Sequence, residues 1–157
     1  MTSVNKSKLV SVTVRPMVRG DLPEVMILER QLFSDPWPLS VFTDSLTQPD
    51  WYMVVAEADR AVVGYACFII IADEGHLTNI AVARSWQRKS VAKQLLDHIL
   101  QQMIRQECRY IVLEVRPSNT GAIAFYERHG FVTLYRRPNY YHSPVEDALV
   151  LIKYLTE

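Results

Sequence analysis

Along this chain, runs in which apolar and polar residues alternate give way to runs in which apolar residues recur every three or four positions, and the two periods predict the elements. Val12 and Val14 against Thr13 and Arg15 predict a short strand over residues 11–17. Leu22, Val25, Met26, Glu29 and Leu32 keep helical spacing, with Asp21 and Glu24 spaced as a capping box and Pro23 in the first turn. Ser34-Asp35-Pro36-Trp37-Pro38 breaks that helix, and a short one from about Ser40 carries Val41, Phe42 and Leu46. Three strands follow over residues 51–57, 61–71 and 76–82, joined by turns at Asp59-Arg60 and Asp73-Glu74-Gly75. They read as an antiparallel meander. Then the period changes. Val91, Leu95, Leu96, Ile99, Met103 and Ile104 fit one face of a long helix. A β-branched strand at 110–115 comes next, then a helix at 118–128 stopped by Gly130, then strands at 131–136 and 148–155. The order predicts an α/β (α+β) fold, a mixed sheet with helices on its faces.

Length and composition narrow the picture. The 157 residues suit one domain, read as a flexible arm over 1–10 and a single domain over 11–157. Seventeen basic and seventeen acidic residues balance, so no global field draws the chain onto nucleic acid or an anionic membrane. Cys67 and Cys108 sit in or beside apolar runs, as reduced, buried thiols of a cytoplasmic protein do. No apolar run reaches the roughly 18 residues of a membrane span, and residues 1–8 lack the apolar stretch of a secretory signal. The expected location is therefore cytoplasmic. His76, His98, His129 and His142 are scattered without metal-ligand spacing, so no metal is expected.

Candidate chemistry gathers where the period changes. A strand ending near Val82, a polar loop holding Arg88 and Lys89, and a helix opening near Ser90 together present free backbone N–H groups and the positive end of a helix dipole. Such a place suits phosphate, and it reads equally as a plain connection with solvated basic residues. Glu114 interrupts an apolar strand, as a partly buried carboxylate or as a strand-end residue bonded to Arg116 or water. Tyr126 reads as a packing aromatic and Asn119 as a helix N-cap.

Asn79-Ile80-Ala81-Val82, followed by Gln87-Arg88-Lys89-Ser90-Val91-Ala92, resembles the Q/R-x-x-G-x-G/A motif of the GNAT superfamily of N-acetyltransferases. The stretches around Leu113-Glu114-Val115, Asn119, Ala122 to Glu127 and Gly130-Phe131 are similar to the other half of that family's site. The Pro36-Trp37-Pro38 loop and Asn139-Tyr140-Tyr141 with Glu146-Asp147-Ala148 look like the bacterial ribosomal-protein-alanine N-acetyltransferases. The resemblance implies a sheet with a splayed strand pair and acetyl-CoA as co-substrate. It implies cofactor contacts from Ile80, Ala81, Val82, Arg88, Lys89, Ser90, Val91, Ala92, Lys93 and Asn119. It casts Glu114 as general base and Tyr126 as the donor to the departing thiolate, and lets Trp37, Tyr140 and Tyr141 line a channel for the N-terminal peptide of a ribosomal protein. Glu146 and Asp147 are placed to attract a basic peptide tail. A GNAT acting on a small amine or a lysine side chain, and a binder of acetyl-CoA without chemistry, are the alternatives. One departure stands out. The motif has glycine where this chain has Ser90, which fits if φ is negative there, its hydroxyl then capping the helix.

Overall fold

The computed structural model describes residues 11–156; the arm expected over 1–10 lies outside the described residues. The elements run β1 (Thr13–Pro16), α1 (Leu22–Leu32), α2 (Leu39–Ser45), β2 (Trp51–Ala58), β3 (Ala61–Ile71), β4 (Glu74–Val82), α3 (Val91–Arg105), β5 (Tyr110–Val115), α4 (Thr120–Arg128), β6 (Val132–His142) and β7 (Val145–Tyr154). This is the order the periodicities predict. The seven strands form one sheet in the order β1-β2-β3-β4-β5-β7-β6. Every pairing is antiparallel except β4 with β5, which α3 joins by a crossover.

That one parallel pairing creates the site. It extends only from Glu74 to Leu77 on β4 and from Tyr110 to Leu113 on β5. Beyond those residues β4 stays paired to β3 as far as Val82, and β5 stays paired to β7 as far as Val115. The two strands therefore part in the middle of the sheet, which leaves one edge of Asn79–Val82 without a strand partner.

Two apolar cores lie on opposite faces. On one face, Val91, Leu95, Leu96, Ile99 and Met103 of α3 meet Ile111, Leu113 and Val115 of β5, with Tyr126 of α4 and Phe131. Each of the larger side chains contributes about 1.5–3 kcal/mol by leaving water. Ile104 does not join them and is 56 % exposed, because it falls about 100° past Met103 around the helix. On the other face, Val25, Met26 and Leu28 of α1 and Phe42 of α2 meet Val55, Tyr65 and Cys67. Gly64 lets these layers close. A Cβ there would lie 2.8 Å from the Ala81 carbonyl oxygen and 3.3 Å from Val91 and Leu95.

Three local expectations change. Asp21 and Glu24 do not form a capping box. The Asp21 carboxylate instead takes two 2.8 Å hydrogen bonds from Arg15 and one from the Val18 N–H, and Glu24 accepts from the Val62 N–H at 2.9 Å. A forked, charge-assisted pair with a guanidinium is stronger than a bond to a helix amide. Glu74 and Gly75 belong to β4 rather than to the turn, which consists of Ala72, at φ +54°, and Asp73. A Cβ at Gly75 would sit 2.4 Å from the Met103 sulfur, so glycine serves helix packing there. Finally, β6 and β7 run on into a long hairpin, so Tyr140 and Tyr141 are strand residues. Almost all of β6 is exposed at the sheet edge, so it carries no inward-outward alternation to mark its length.

Candidate active site at the splayed strands

The loop between β4 and α3 has an unusual backbone. Arg88 and Ser90 both adopt left-handed conformations, at φ +60° and +64°. Ser90 precedes the first turn of α3 with ψ 16°, and its side chain caps nothing. The expectation of a negative φ and a hydroxyl cap therefore fails. The chain must turn sharply enough to aim the first amides of α3 outward, and that turn requires the left-handed region. The Gln87 amide donates to the Val82 carbonyl at 3.2 Å, bracing the end of β4.

These residues open into a cleft of about 670 Å³ between the start of α3 and α4. Val82, Arg88, Ser90, Val91, Ala92 and Lys93 line it. Val91 itself is 1 % exposed, so its side chain serves the core and its backbone faces the cleft end of the helix. Lys89 instead lies over the Trp86 ring, 5.3 Å from its centroid. Ile80 and Ala81 stand on the freed stretch of β4 rather than in the cleft wall, and Ala81 is buried. Asn119 accepts from the Ala122 N–H at 3.2 Å and so caps α4, as its N-cap reading requires. The opposite wall overlaps the stretch Ala122 to Glu127 that resembles the other half of the family's site, and extends beyond it at both ends. It consists of Gly121, Ala124, Phe125, Arg128 and His129, whose three- and four-residue spacing along α4 marks one helical face. Small residues at 121 and 124 make the room, and Arg128 adds positive charge facing Arg88 and Lys93. Free amides, a helix N-terminus and these cations suit a pyrophosphate.

On the far side of the splay, Glu114 is 13 % exposed. It does not bond to Arg116. Its Oε2 lies 2.7 Å from His76 Nε2 on β4, and its Oε1 lies 3.7 Å from Arg137 Nη1 on β6. Tyr126 packs in the core between Phe125 and Phe131, with ring centroids 5.3 and 5.4 Å away. Burial pushes its phenol well above the usual range, with a further contribution from Tyr141, so it remains protonated at neutral pH. Burial also raises Tyr141, to about 12, with additions from Tyr140 and Glu114. Each of these groups thus lies within electrostatic reach of the next, from Glu114 through Tyr141 to Tyr126. Arg116 covers the Tyr141 ring at 4.3 Å and Arg137 covers Tyr140 at 4.7 Å.

Trp37 packs against Phe42 at 5.6 Å and Trp51 at 6.5 Å. Its backbone N–H donates to Oε1 of Glu29 at 3.0 Å. Glu29 is 1 % exposed and also accepts from Asn79 Nδ2 at 3.1 Å and from the Tyr65 hydroxyl. This buried carboxylate ties the loop after α1 to β3 and to the freed part of β4. The signal for it was a charge in the middle of the apolar stripe of α1. Burial raises the Cys67 and Cys108 thiols, so neither is an active nucleophile.

The family model described as Acetyltransferase (GNAT) family matches residues 22–131, from the start of α1 to the end of the α4 turn. The chain belongs to the GNAT acetyltransferase family. As a GNAT member it is an N-acetyltransferase, and it is similar to enzymes so named. It is 32 % identical over 142 residues to the "[Ribosomal protein bS18]-alanine N-acetyltransferase" of Salmonella typhimurium, covering 88 % of this chain and 95 % of that one. It is also 32 % identical over 146 residues to the "N-alpha-acetyltransferase RimI" of Mycobacterium tuberculosis, covering 89 % and 90 %. The crystal structure of the ribosomal-protein-S18-alanine N-acetyltransferase from Escherichia coli superposes with a TM-score of 0.86 at 28 % identity, over 94 % of this chain and 96 % of that one. The GNAT fold expected from the sequence, with its splayed strands and helices on both faces, is the fold observed.

Proposed function

We propose that this GNAT enzyme moves the acetyl group of acetyl-CoA to the α-amine of a polypeptide, the substrate being the N-terminal alanine of a ribosomal protein in the cytoplasm. The observation that carries the reading is the placement of Glu114. It is a largely buried carboxylate on β5 just past the point where β4 and β5 part, with the phosphate-suited cleft on the opposite face. The names of the relatives at about 30 % identity support the substrate.

The cleft fits the pyrophosphate through the amides of Val91, Ala92 and Lys93 and through Arg88 and Arg128. When bound, acetyl-CoA supplies an activated thioester. The unpaired edge of β4 from Asn79 to Val82 offers backbone N–H groups to an acyl oxygen. Glu114 takes the proton of the incoming amine. A terminal α-amine, with a pKa of about 7.7–8.0, gives it up far more readily than a lysine at about 10.4. Tyr126, held protonated by burial, returns a proton to sulfur. Tyr140 and Tyr141 flank the amine side.

Glu146 and Asp147 do not serve as free attractants for a basic tail. Glu146 accepts from the Ser118 N–H and hydroxyl at 3.0 and 2.8 Å and pairs with Arg116 at 3.3 Å. Asp147 pairs with Arg136 at 2.8 Å and accepts from the Asn139 N–H. Both carboxylates fasten the β6–β7 hairpin instead.

Kinetics of Glu114→Gln test the reading. Turnover should fall on the order of a hundredfold or more, with calorimetric affinity for acetyl-CoA unchanged, since the carboxylate faces the amine. Undiminished turnover would remove Glu114 from its role.

A further inference from the structure

The position of His76 gives the proposed base a second function. His76 stands on β4 opposite Val112, one step along the sheet from Glu114, at the point where β4 and β5 still pair. Its Nε2 lies 2.7 Å from Glu114 Oε2, and its side chain is 35 % exposed against 13 % for Glu114. The pair lines a concavity of about 570 Å³ on the sheet face, walled by Ile69, Tyr110, Val150 and Ile152 and separate from the phosphate-suited cleft. A carboxylate that removes protons from amines in a closed site must lose each one before the next turnover. Glu114 is too enclosed to do so freely, and the imidazole bonded to it reaches water.

Resting on the functional reading above, we propose that His76 is a proton relay, passing each proton taken by Glu114 out to solvent through the sheet-face concavity. The protons balance as follows. The incoming ammonium gives a proton to Glu114 Oε2, which passes it to His76 Nε2, and the imidazolium releases it to water. The neutral amine then forms the N–C(acetyl) bond as the C–S bond breaks. The proton shed by that nitrogen goes to Glu114, while Tyr126 supplies one to sulfur and is reprotonated from solvent. No further reactant is needed.

Only a neutral imidazole can accept from Glu114, so the relay stops when His76 holds a proton before turnover. The charged and titratable groups around it are Arg137, Tyr140 and Tyr141 on β6 and Glu74 beside it on β4. Tyr110, Tyr135 and Tyr154 complete the concavity. Arg137 Nη1 lies 3.7 Å from the other oxygen of Glu114, so Oε2 is the oxygen that faces His76.

The test compares wild type, His76→Gln and His76→Asn with an alanine-started peptide across pH 6 to 9, with acetyl-CoA affinity measured for each. Glutamine retains an N–H donor for Glu114 and cannot carry a proton. The proposal expects kcat of both variants to fall at least tenfold at neutral pH with acetyl-CoA affinity unchanged. It expects their acid limb to move to lower pH, and added imidazole to restore part of the rate. Wild-type kcat and an unmoved acid limb in His76→Gln would overturn the relay and leave His76 a hydrogen-bonding support. So would a loss that imidazole does not rescue. A wild-type enzyme that acetylates no peptide would instead remove the functional reading beneath it, a failure the variants cannot mimic.

Discussion

Ser90→Gly should stabilise the protein. Ser90 holds φ +64° and ψ 16°, and its side chain makes no cap bond that glycine would remove. For an L-residue the left-handed region costs about 1–2 kcal/mol, which glycine does not incur. Against that, glycine widens the unfolded ensemble, at a cost of about 0.4–1 kcal/mol. The balance is a gain of about 0.5–1 kcal/mol, or roughly 1–4 °C in Tm for a domain of this size. Removing the Cβ and hydroxyl also lets a phosphate approach the amides of α3, so acetyl-CoA should bind the glycine variant several-fold more tightly. Thermal scans of the free protein, with calorimetric titration alongside, measure both effects. A lower Tm in the glycine variant would refute the strain argument. A Tm that rises while acetyl-CoA affinity falls would show that the Ser90 hydroxyl holds the phosphate.

Glu29→Leu removes the acceptor for Trp37, Tyr65 and Asn79. It should cost about 3 kcal/mol, on the scale of about 1–3 kcal/mol for each buried donor left unpaired, and urea denaturation measures it. The Arg15 bonds, aided by the Val18 amide, hold the Asp21 carboxyl below the usual carboxylate range. The stability this supplies is complete above about pH 4 and is lost as pH falls through the depressed folded value. Asp21→Asn should therefore be less stable than wild type by about 1.5–3 kcal/mol at pH 7, with the gap closing in acid-denaturation curves as pH falls through the depressed folded value. Tyr126→Phe should lower kcat and leave acetyl-CoA affinity alone. Because burial raises Tyr126, wild-type activity should show no loss from its ionisation up to about pH 10.

The helices and inner strands were legible because each has a buried face that writes its period into the chain. α3 shows this best, with five buried positions from Val91 to Met103. The outer strand β6 was not legible beyond Arg136. Both of its faces are largely exposed, so Tyr140 and Tyr141 looked like loop residues. Within the site, the phosphate loop was visible as a strand followed by basic residues and a helix start, and Ser90 as an odd residue within it. The sign of its φ was not visible, since a backbone angle set by the turn between β4 and α3 leaves no compositional trace in a serine. His76 and Arg137 were invisible as partners of Glu114 because strands 38 and 23 residues distant bring them there. Glu29 carried a signal that its helical spacing disguised.

The central claim is that an α-amine, and not a side-chain amine, is acetylated at Glu114. The most direct measurement incubates the wild-type enzyme and acetyl-CoA with one peptide that begins with alanine and carries an internal lysine. Tandem mass spectrometry then maps the added acetyl group. The predicted result is acetyl on the alanine nitrogen alone, lost on blocking that terminus and greatly slowed in Glu114→Gln. Acetyl on the lysine at a comparable rate would contradict the claim and assign this GNAT enzyme to side-chain substrates.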